Sequence, residues 1–295
     1  MRFYTAEING KQQVLAAFPG EERAYCLSEL GFDFSDMNDL ILHITSEQKQ
    51  ALWGLDREKV TAKPVVLDKG KLCAPIVYPR QDVVCLGINY EEHAAEAGRF
   101  SEEAFAKDRP DTIYFSKRVS RATAPGEAIP SYQGLVDSLD YEAELGVILG
   151  KDAKGVKAEE AEDYIFGYTI INDVSARNLQ TRHKQWYLGK SLDGFTPMGP
   201  CIVTADEIDD PQKLAIACYV NGQKRQSSNT ACMIQTVGGA IEELSAGMTL
   251  QAGTIIATGT PAGVGMGMRP PCFLKRGDVV VCEIEKIGRL VNPVE

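Results

Sequence analysis

A chain of 295 residues, 44% hydrophobic and 24% charged, carries enough apolar material for one large core or two modest ones, which excludes a disordered protein. Its net charge of −10 and the lack of any Lys/Arg-rich run exclude the electrostatic footprint of a nucleic-acid or anionic-membrane binder, so the expected partner is a small molecule or a protein. The opening MRFYTAEING lacks a basic stretch leading into an apolar run, and no segment approaches about eighteen uncharged apolar residues, so a cytoplasmic location is expected by default.

In chain order, residues 1–75 alternate short apolar runs with turn residues and read as a small, β-rich amino-terminal domain. The two prolines of LCAPIVYPR (72–80) suit a connector better than a strand interior, which sets a second domain at 76–295. Within it, β-rich runs predict strands at 82–88, 111–117, 139–149, 166–171, 214–220, 254–258 and 278–284. Apolar spacings of three and four predict helices at 91–97, 158–164, 174–184 and 233–244. The fold class is therefore mixed and β-dominated with peripheral helices, since no regular strand-helix alternation favours a doubly wound parallel sheet. The eight cysteines lie far apart without a C-x-x-C pair and read as free thiols; Cys85, Cys218 and Cys282 sit in apolar strand-like runs.

Chemistry-bearing residues concentrate beyond residue 90. Side chains at alternate strand positions share a face, so LDYEAELGVIL sets Asp140, Glu142 and Glu144 on one strip, about 7 Å apart for neighbours, a span two carboxylates bridge by leaning onto one cation. An acidic solvated edge strand has the same spacing, although the apolar continuation GVILG runs inward. Asp173 follows the apolar run YTIIN, where a strand end turns into a helix, and Arg177 and Gln180 fall one and two turns along the same face, an arrangement suited to an anionic substrate. A helix N-cap explains Asp173 equally well. His93 and Glu96, three residues apart, share a helix face and could hold and deprotonate a water, although spacing alone favours an ordinary solvated helix. His43 and His183 read as structural or surface residues. Lys190 sits in the turn-rich LGKSLDGFTPMGP, and Lys184 where a phosphate loop needs glycine excludes that motif. The stretch ATGTPAGVGMG (257–267) matches no nucleotide loop, but its backbone amides could cradle a carboxylate.

Taken in order, GINYEEHAAE, the Phe and Lys of YFSK, DYEAELGVILG, GYTIINDVSARNLQ, GKSLDGFTPMGP, VNGQKRQ, TIIATGTPAGVG, FLKRGDVVVCEIEKIGRL and VNPV resemble the fumarylacetoacetate hydrolase family from about Val83 to the end. The resemblance implies a β-roll-like catalytic domain, a homodimer, and Mg²⁺ or Mn²⁺ held by Glu142, Glu144 and Asp173. It implies His93 and Glu96 as the catalytic dyad on a lid, Lys190 as a further catalytic group, and Arg177, Gln180, Lys190 and Thr260 as substrate contacts. Three hard carboxylates without His or Cys fit those cations on chemical grounds as well. The expected substrate is a small oxo-acid and the expected reaction a carbon-carbon cleavage, by hydrolysis of a 2,4-dioxo acid or decarboxylation of oxaloacetate. Alternatives are isomerisation of an unsaturated oxo-diacid and a non-catalytic metabolite-binding relative. Asn178, Gly194 and Thr254 stand where the family usually has Asp, Thr and Asp, and Gly194 is expected to widen the pocket.

Overall fold

A computed structural model describes residues 1–21, 23–67, 72–97 and 111–295. The chain opens with the hairpin β1 (Arg2–Ile8) and β2 (Lys11–Ala17). Its two-residue loop is Asn9-Gly10 with φ of 52° and 75°, the left-handed pair that lets a tight turn follow the strand twist. Strand β3 (Ala24–Cys26) and helices α1 (Met37–His43) and α2 (Ser46–Trp53) follow, then β4 (Val83–Gly87), α3 (Glu91–Ala97), β5 (Ile113–Lys117), β6 (Leu139–Asp140), β7 (Ala143–Leu149) and β8 (Ile165–Asn172). Next come β9 (Ser175–Ala176), α4 (Arg177–Arg182), α5 (Tyr187–Lys190), β10 (Met198–Thr204), β11 (Ala215–Val220), β12 (Gln223–Asn229), α6 (Val237–Gly247), β13 (Ile255–Ala257), β14 (Val279–Ile284) and β15 (Gly288–Pro293).

Nine strands form one sheet in the order β3-β2-β1-β10-β8-β7-β13-β4-β5, and a second sheet runs β12-β11-β14-β15. Only the β13/β4 pairing is parallel among the pairings of the described strands. Alternation along β1 separates two cores. Phe3 packs with the apolar faces of α1 and α2 (Met37, Leu40, Ile41, Leu52), whereas Tyr4 joins the cluster that takes in β11, β14 and α6. The large sheet is thus covered on both faces, which is why its central strands β7 and β8 are buried at every position and read as nearly continuous apolar runs.

The β-dominated reading with peripheral helices holds, with four local corrections. Residues 139–149 are not one strand: the chain breaks at Tyr141-Glu142, and Leu139 and Asp140 pair with Ala176 and Ser175 instead of continuing the β7 ladder. For the same reason the helix expected at 174–184 starts only at Arg177. The helix expected at 233–244 begins at Val237, where the Thr236 side chain accepts from Gly239 N–H, and 158–164 is a 3₁₀ rather than an α-helix. The strand and helix spans expected at 82–88, 111–117, 166–171, 214–220, 254–258, 278–284 and 91–97 are present to within two residues. Strands β1–β3 extend the large sheet through a short ladder, Arg2 and Phe3 opposite Val203 and Ile202 of β10. All eight cysteines are free. No helix among the described residues is long and apolar enough to cross a membrane.

Candidate metal centre and active site

The site grows from the register between β7 and β8. Ala143 lies opposite Asn172, so Glu142 and Asp173, one step beyond, face one another, and Asp173 N–H donates to Glu142 O at 2.9 Å. Glu144, two residues along β7, shares the face of Glu142. Asn172 holds the strand break in place by accepting the Glu142 N–H through its side chain at 3.0 Å. One carboxylate oxygen from each of Glu142, Glu144 and Asp173 lies within 4.8 Å of the others, and all three residues are buried.

Buried carboxylates so close require positive charge. Lys190, at the end of α5, donates from Nζ to Glu142 Oε2 at 2.7 Å and Asp173 Oδ2 at 2.6 Å. Lys117, at the end of β5, donates to Asp173 Oδ1 at 2.7 Å and Val174 O at 3.1 Å. Both lysines are fully buried. Burial alone would raise the Glu142 carboxyl, but Lys190 and Arg177 more than reverse this and hold it well below the usual range. Glu144 is different. It accepts the Gly259 N–H at 2.9 Å, and burial, then the charges of Asp173 and Glu142, push its carboxyl well above the ordinary value. The cluster is therefore short of positive charge at Glu144, and three hard oxygen donors with that deficit fit a divalent Mg²⁺ or Mn²⁺.

Asp140 does not join the strip with Glu142 and Glu144. Because the strand breaks after it, its carboxylate accepts from Arg177 Nε at 2.9 Å and from the Tyr141, Gly265 and Met266 N–H groups. Arg177 also donates from Nη1 to Gln180 Oε1 at 3.0 Å and places Nη2 2.7 Å from Glu142 Oε1. The N-cap reading of Asp173 fails, since its carboxylate is committed to two lysines and the residue preceding α4, Ala176, makes no side-chain cap bond.

Opposite the acids, His93 on α3 is buried and its Nδ1 meets Glu96 Oε2 at 3.2 Å, which excludes an ordinary solvated helix face. Glu96 accepts the Gly263 N–H at 3.1 Å. The glycine-rich loop after β13 does cradle carboxylates, and they are the protein's own: Glu144 on Gly259, Glu96 on Gly263, Asp140 on Gly265 and Met266. The loop is fixed to β7 by Thr260, whose hydroxyl donates to Ala143 O at 2.9 Å. Gln226 of β12 completes the clamp, donating from Nε2 to Thr260 Oγ1 and Pro261 O at 2.7 Å while accepting Ala143 N–H at 3.1 Å.

His93, Glu142, Glu144, Arg177, Gln180, Lys190 and Thr260 line one cavity, walled on its apolar side by Leu86, Ile88, Phe115 and Trp186. Trp186 packs edge-on against Phe115 at 5.2 Å and over Gly87, where a Cβ would lie 2.8 Å from one indole carbon and nearer another. Sequence reasoning missed Lys117, Phe115, Trp186 and Gln226. The Phe and Lys of YFSK lay within a matched motif, but nothing in IYFSK marks its lysine as buried. Gly194 is a correction: it is not among the lining residues, and its φ of 79° and Pro130, whose Cγ would lie 2.7 Å from a Cβ, explain the glycine by backbone geometry rather than pocket width.

Residues 82–295 match the family profile described as fumarylacetoacetate (FAA) hydrolase C-terminal. The chain is 45% identical over 228 residues to the oxaloacetate tautomerase YisK of Bacillus subtilis (strain 168), covering 77% of this chain and 74% of that protein. It superposes on a fumarylacetoacetate hydrolase from psychrophilic Exiguobacterium antarcticum with a TM-score of 0.85 at 36% identity, over 100% of this chain and 99% of that one. On a maleylpyruvate hydrolase from Sphingobium sp. SYK-6, solved in complex with manganese (II) ion and pyruvate, the TM-score is 0.78 at 26% identity, over 100% and 98%. With its profile match, its fold and its cluster of acids in agreement, the chain belongs to the fumarylacetoacetate hydrolase family and is an enzyme.

Proposed function

We propose that this enzyme forms and protonates the enolate of a small 2-oxo acid, with oxaloacetate the first substrate to try and keto-enol tautomerisation its simplest outcome. The observation that carries the reading is the buried cluster of Glu142, Glu144 and Asp173, whose two glutamates line one cavity with two cationic side chains and an oriented imidazole. Glu142, Glu144 and Asp173 would hold Mg²⁺ or Mn²⁺, which supplies Lewis-acid stabilisation of developing negative charge on an oxo-acid oxygen. Arg177 pairs with the substrate carboxylate. Gln180 assists through its NH₂ end, since its carbonyl oxygen is taken by Arg177. The hydroxyl proton of Thr260 is committed to Ala143 O and one lone pair to Gln226 Nε2, so Thr260 shapes the cavity floor and offers its second lone pair.

Lys190 lies nearest the acids and donates to the enolate oxygen. His93, with Nδ1 turned to Glu96, presents Nε2 as the atom that takes a proton from the carbon next to the carbonyl and returns it. Apolar walls of Leu86, Ile88, Phe115 and Trp186 keep bulk water from quenching the enolate. The YisK resemblance supports tautomerisation. A second reading, carbon-carbon cleavage of a 2,4-dioxo acid, is favoured by the same dyad, which can equally deprotonate a water.

The test is a panel of oxaloacetate and acylpyruvates with added Mn²⁺ or Mg²⁺, following enol absorbance, exchange of the C3 hydrogens and product identity. Turnover is expected to require the metal, and His93→Ala is expected to lower proton exchange by about 10²- to 10⁴-fold. Decarboxylation of oxaloacetate, which removes no proton from carbon or water, is expected to fall less. No metal-dependent turnover of any panel member sinks the proposal, and equal proportional losses in His93→Ala sink the dyad as a dedicated base.

A further inference from the structure

Asp140 is absorbed by neither the metal cluster nor the cavity lining, yet it is fully buried and both its oxygens are used. Oδ1 accepts the Tyr141 N–H at 3.0 Å and the Gly265 N–H at 2.7 Å, while Oδ2 accepts the Met266 N–H at 2.9 Å and Arg177 Nε at 2.9 Å. Gly265 has no room for a side chain, since a Cβ would lie 2.7 Å from that Oδ1. Two residues earlier in the same loop, Gly263 N–H holds Glu96. One carboxylate therefore ties the Nε edge of Arg177 to the loop that hydrogen-bonds the dyad's acid. This leaves the guanidinium's far nitrogens for Gln180, the cluster and substrate. Arg177 Nη2 lies 2.7 Å from Glu142 Oε1 as an ion pair, so the guanidinium also faces the acid cluster.

We propose that Asp140 is a positioning residue that fixes the orientation of Arg177 toward the substrate carboxylate and anchors it to the glycine loop. The inference rests on the reading of Arg177 as the carboxylate's partner. A guanidinium held along one edge by a buried carboxylate has lost its freedom to rotate before substrate arrives, which lowers the cost of binding. Asp140→Asn keeps the size but turns an NH₂ toward groups that are all donors, so the two contacts of one oxygen are lost.

The experiment compares Asp140→Asn, Arg177→Gln and the double variant in the Mn²⁺-loaded enzyme with oxaloacetate. Asp140→Asn is expected to raise KM by about 10- to 100-fold, more than kcat falls, with Mn²⁺ affinity by calorimetry unchanged. The double variant is expected to match Arg177→Gln alone. A raised KM in Arg177→Gln beside a wild-type KM in Asp140→Asn overturns the positioning role only. An unchanged KM in Arg177→Gln overturns the substrate reading of Arg177 and the proposal with it. Lost Mn²⁺ affinity in Asp140→Asn overturns it too, because it assigns Asp140 to the cluster's integrity. Should Asp140→Asn fail to fold, the wild-type Arg177 Nε–H resonance, assigned by its disappearance in Arg177→Lys, decides: slow solvent exchange supports the anchor and rapid exchange overturns it.

Discussion

Gly267→Ala probes the dyad without touching either of its members. A Cβ at residue 267 would lie 2.7 Å from Glu96 Cγ and nearer still to the carboxylate, against an ordinary contact of about 3.4 Å or more. The carboxylate must therefore retreat by about 1.5 Å, which removes it from both His93 Nδ1 at 3.2 Å and Gly263 N–H at 3.1 Å. Stability should change little. The clash falls on the free end of a flexible side chain, and both lost bonds can be replaced by water at a net cost of about 1 kcal/mol, or roughly 2 to 4 °C in Tm. Activity should change much more, because an imidazole without its orienting partner is misplaced on the scale that costs about 100-fold in rate. The assay is kcat for oxaloacetate enolisation at saturating Mn²⁺, beside Tm and calorimetric Mn²⁺ affinity, with Glu96→Gln as reference. A wild-type kcat in folded Gly267→Ala, or a collapse of Mn²⁺ affinity, would refute the reasoning.

Glu144→Gln should lower Mn²⁺ affinity by at least about 100-fold while leaving the metal-free protein as heat-stable as wild type, because burial and the neighbouring acids already disfavour the charged form of this carboxyl when no metal is bound. The same raised carboxyl sets a pH dependence. A protonated Glu144 stabilises the metal-free fold at low pH, that contribution is lost as pH rises through the folded value, and a divalent ion must expel the proton. The Tm gain from Mn²⁺ should therefore grow from about pH 5 to about pH 8 in thermal melts, and a gain independent of pH counts against this account. A chain starting near Arg80 tests the proposed division at residue 75: it should keep Mn²⁺ affinity within about threefold but melt lower, since it loses Phe3 from its stack with Phe166 and β1 from the edge of β10. A folded truncation without Mn²⁺ binding would assign part of the site to the amino-terminal strands.

Much of the site was legible because its carboxylates sit where a period of two and a strand end place them. Glu142 and Glu144 share a face and Asp173 ends the run YTIIN, so alternation and a strand end singled each out, while the family resemblance joined the three into one ligand set. The same alternation misplaced Asp140, because the break at Tyr141-Glu142 comes from tertiary pairing: Leu139 and Asp140 form a two-residue ladder with Ser175 and Ala176, which also delays α4. Lys117 was illegible for a different reason. A lysine closing a short strand looks like a solvated end, and its complete burial depends on Asp173, 56 residues away in sequence. Nor does any local pattern in β1 announce that its neighbour is β10, about two hundred residues on.

Gln226 has a consequence for how this scaffold tolerates change. Its amide oxygen must meet Ala143 N–H and its NH₂ must meet Thr260 Oγ1 and Pro261 O, so its orientation is fixed and neither Glu nor Leu can replace it without leaving a buried group unmatched. The four-stranded sheet, which contributes no side chain to the cavity lining, thus works as a gauge block that sets the height of the glycine loop over β7. Insertions at the exposed Asn221-Gly222 turn of the β11/β12 hairpin should be absorbed only while they leave the pairing of Cys218 with Gln226 in step. A slip of one residue would turn Gln226 to the opposite face and detune a reaction in which that sheet has no chemical part.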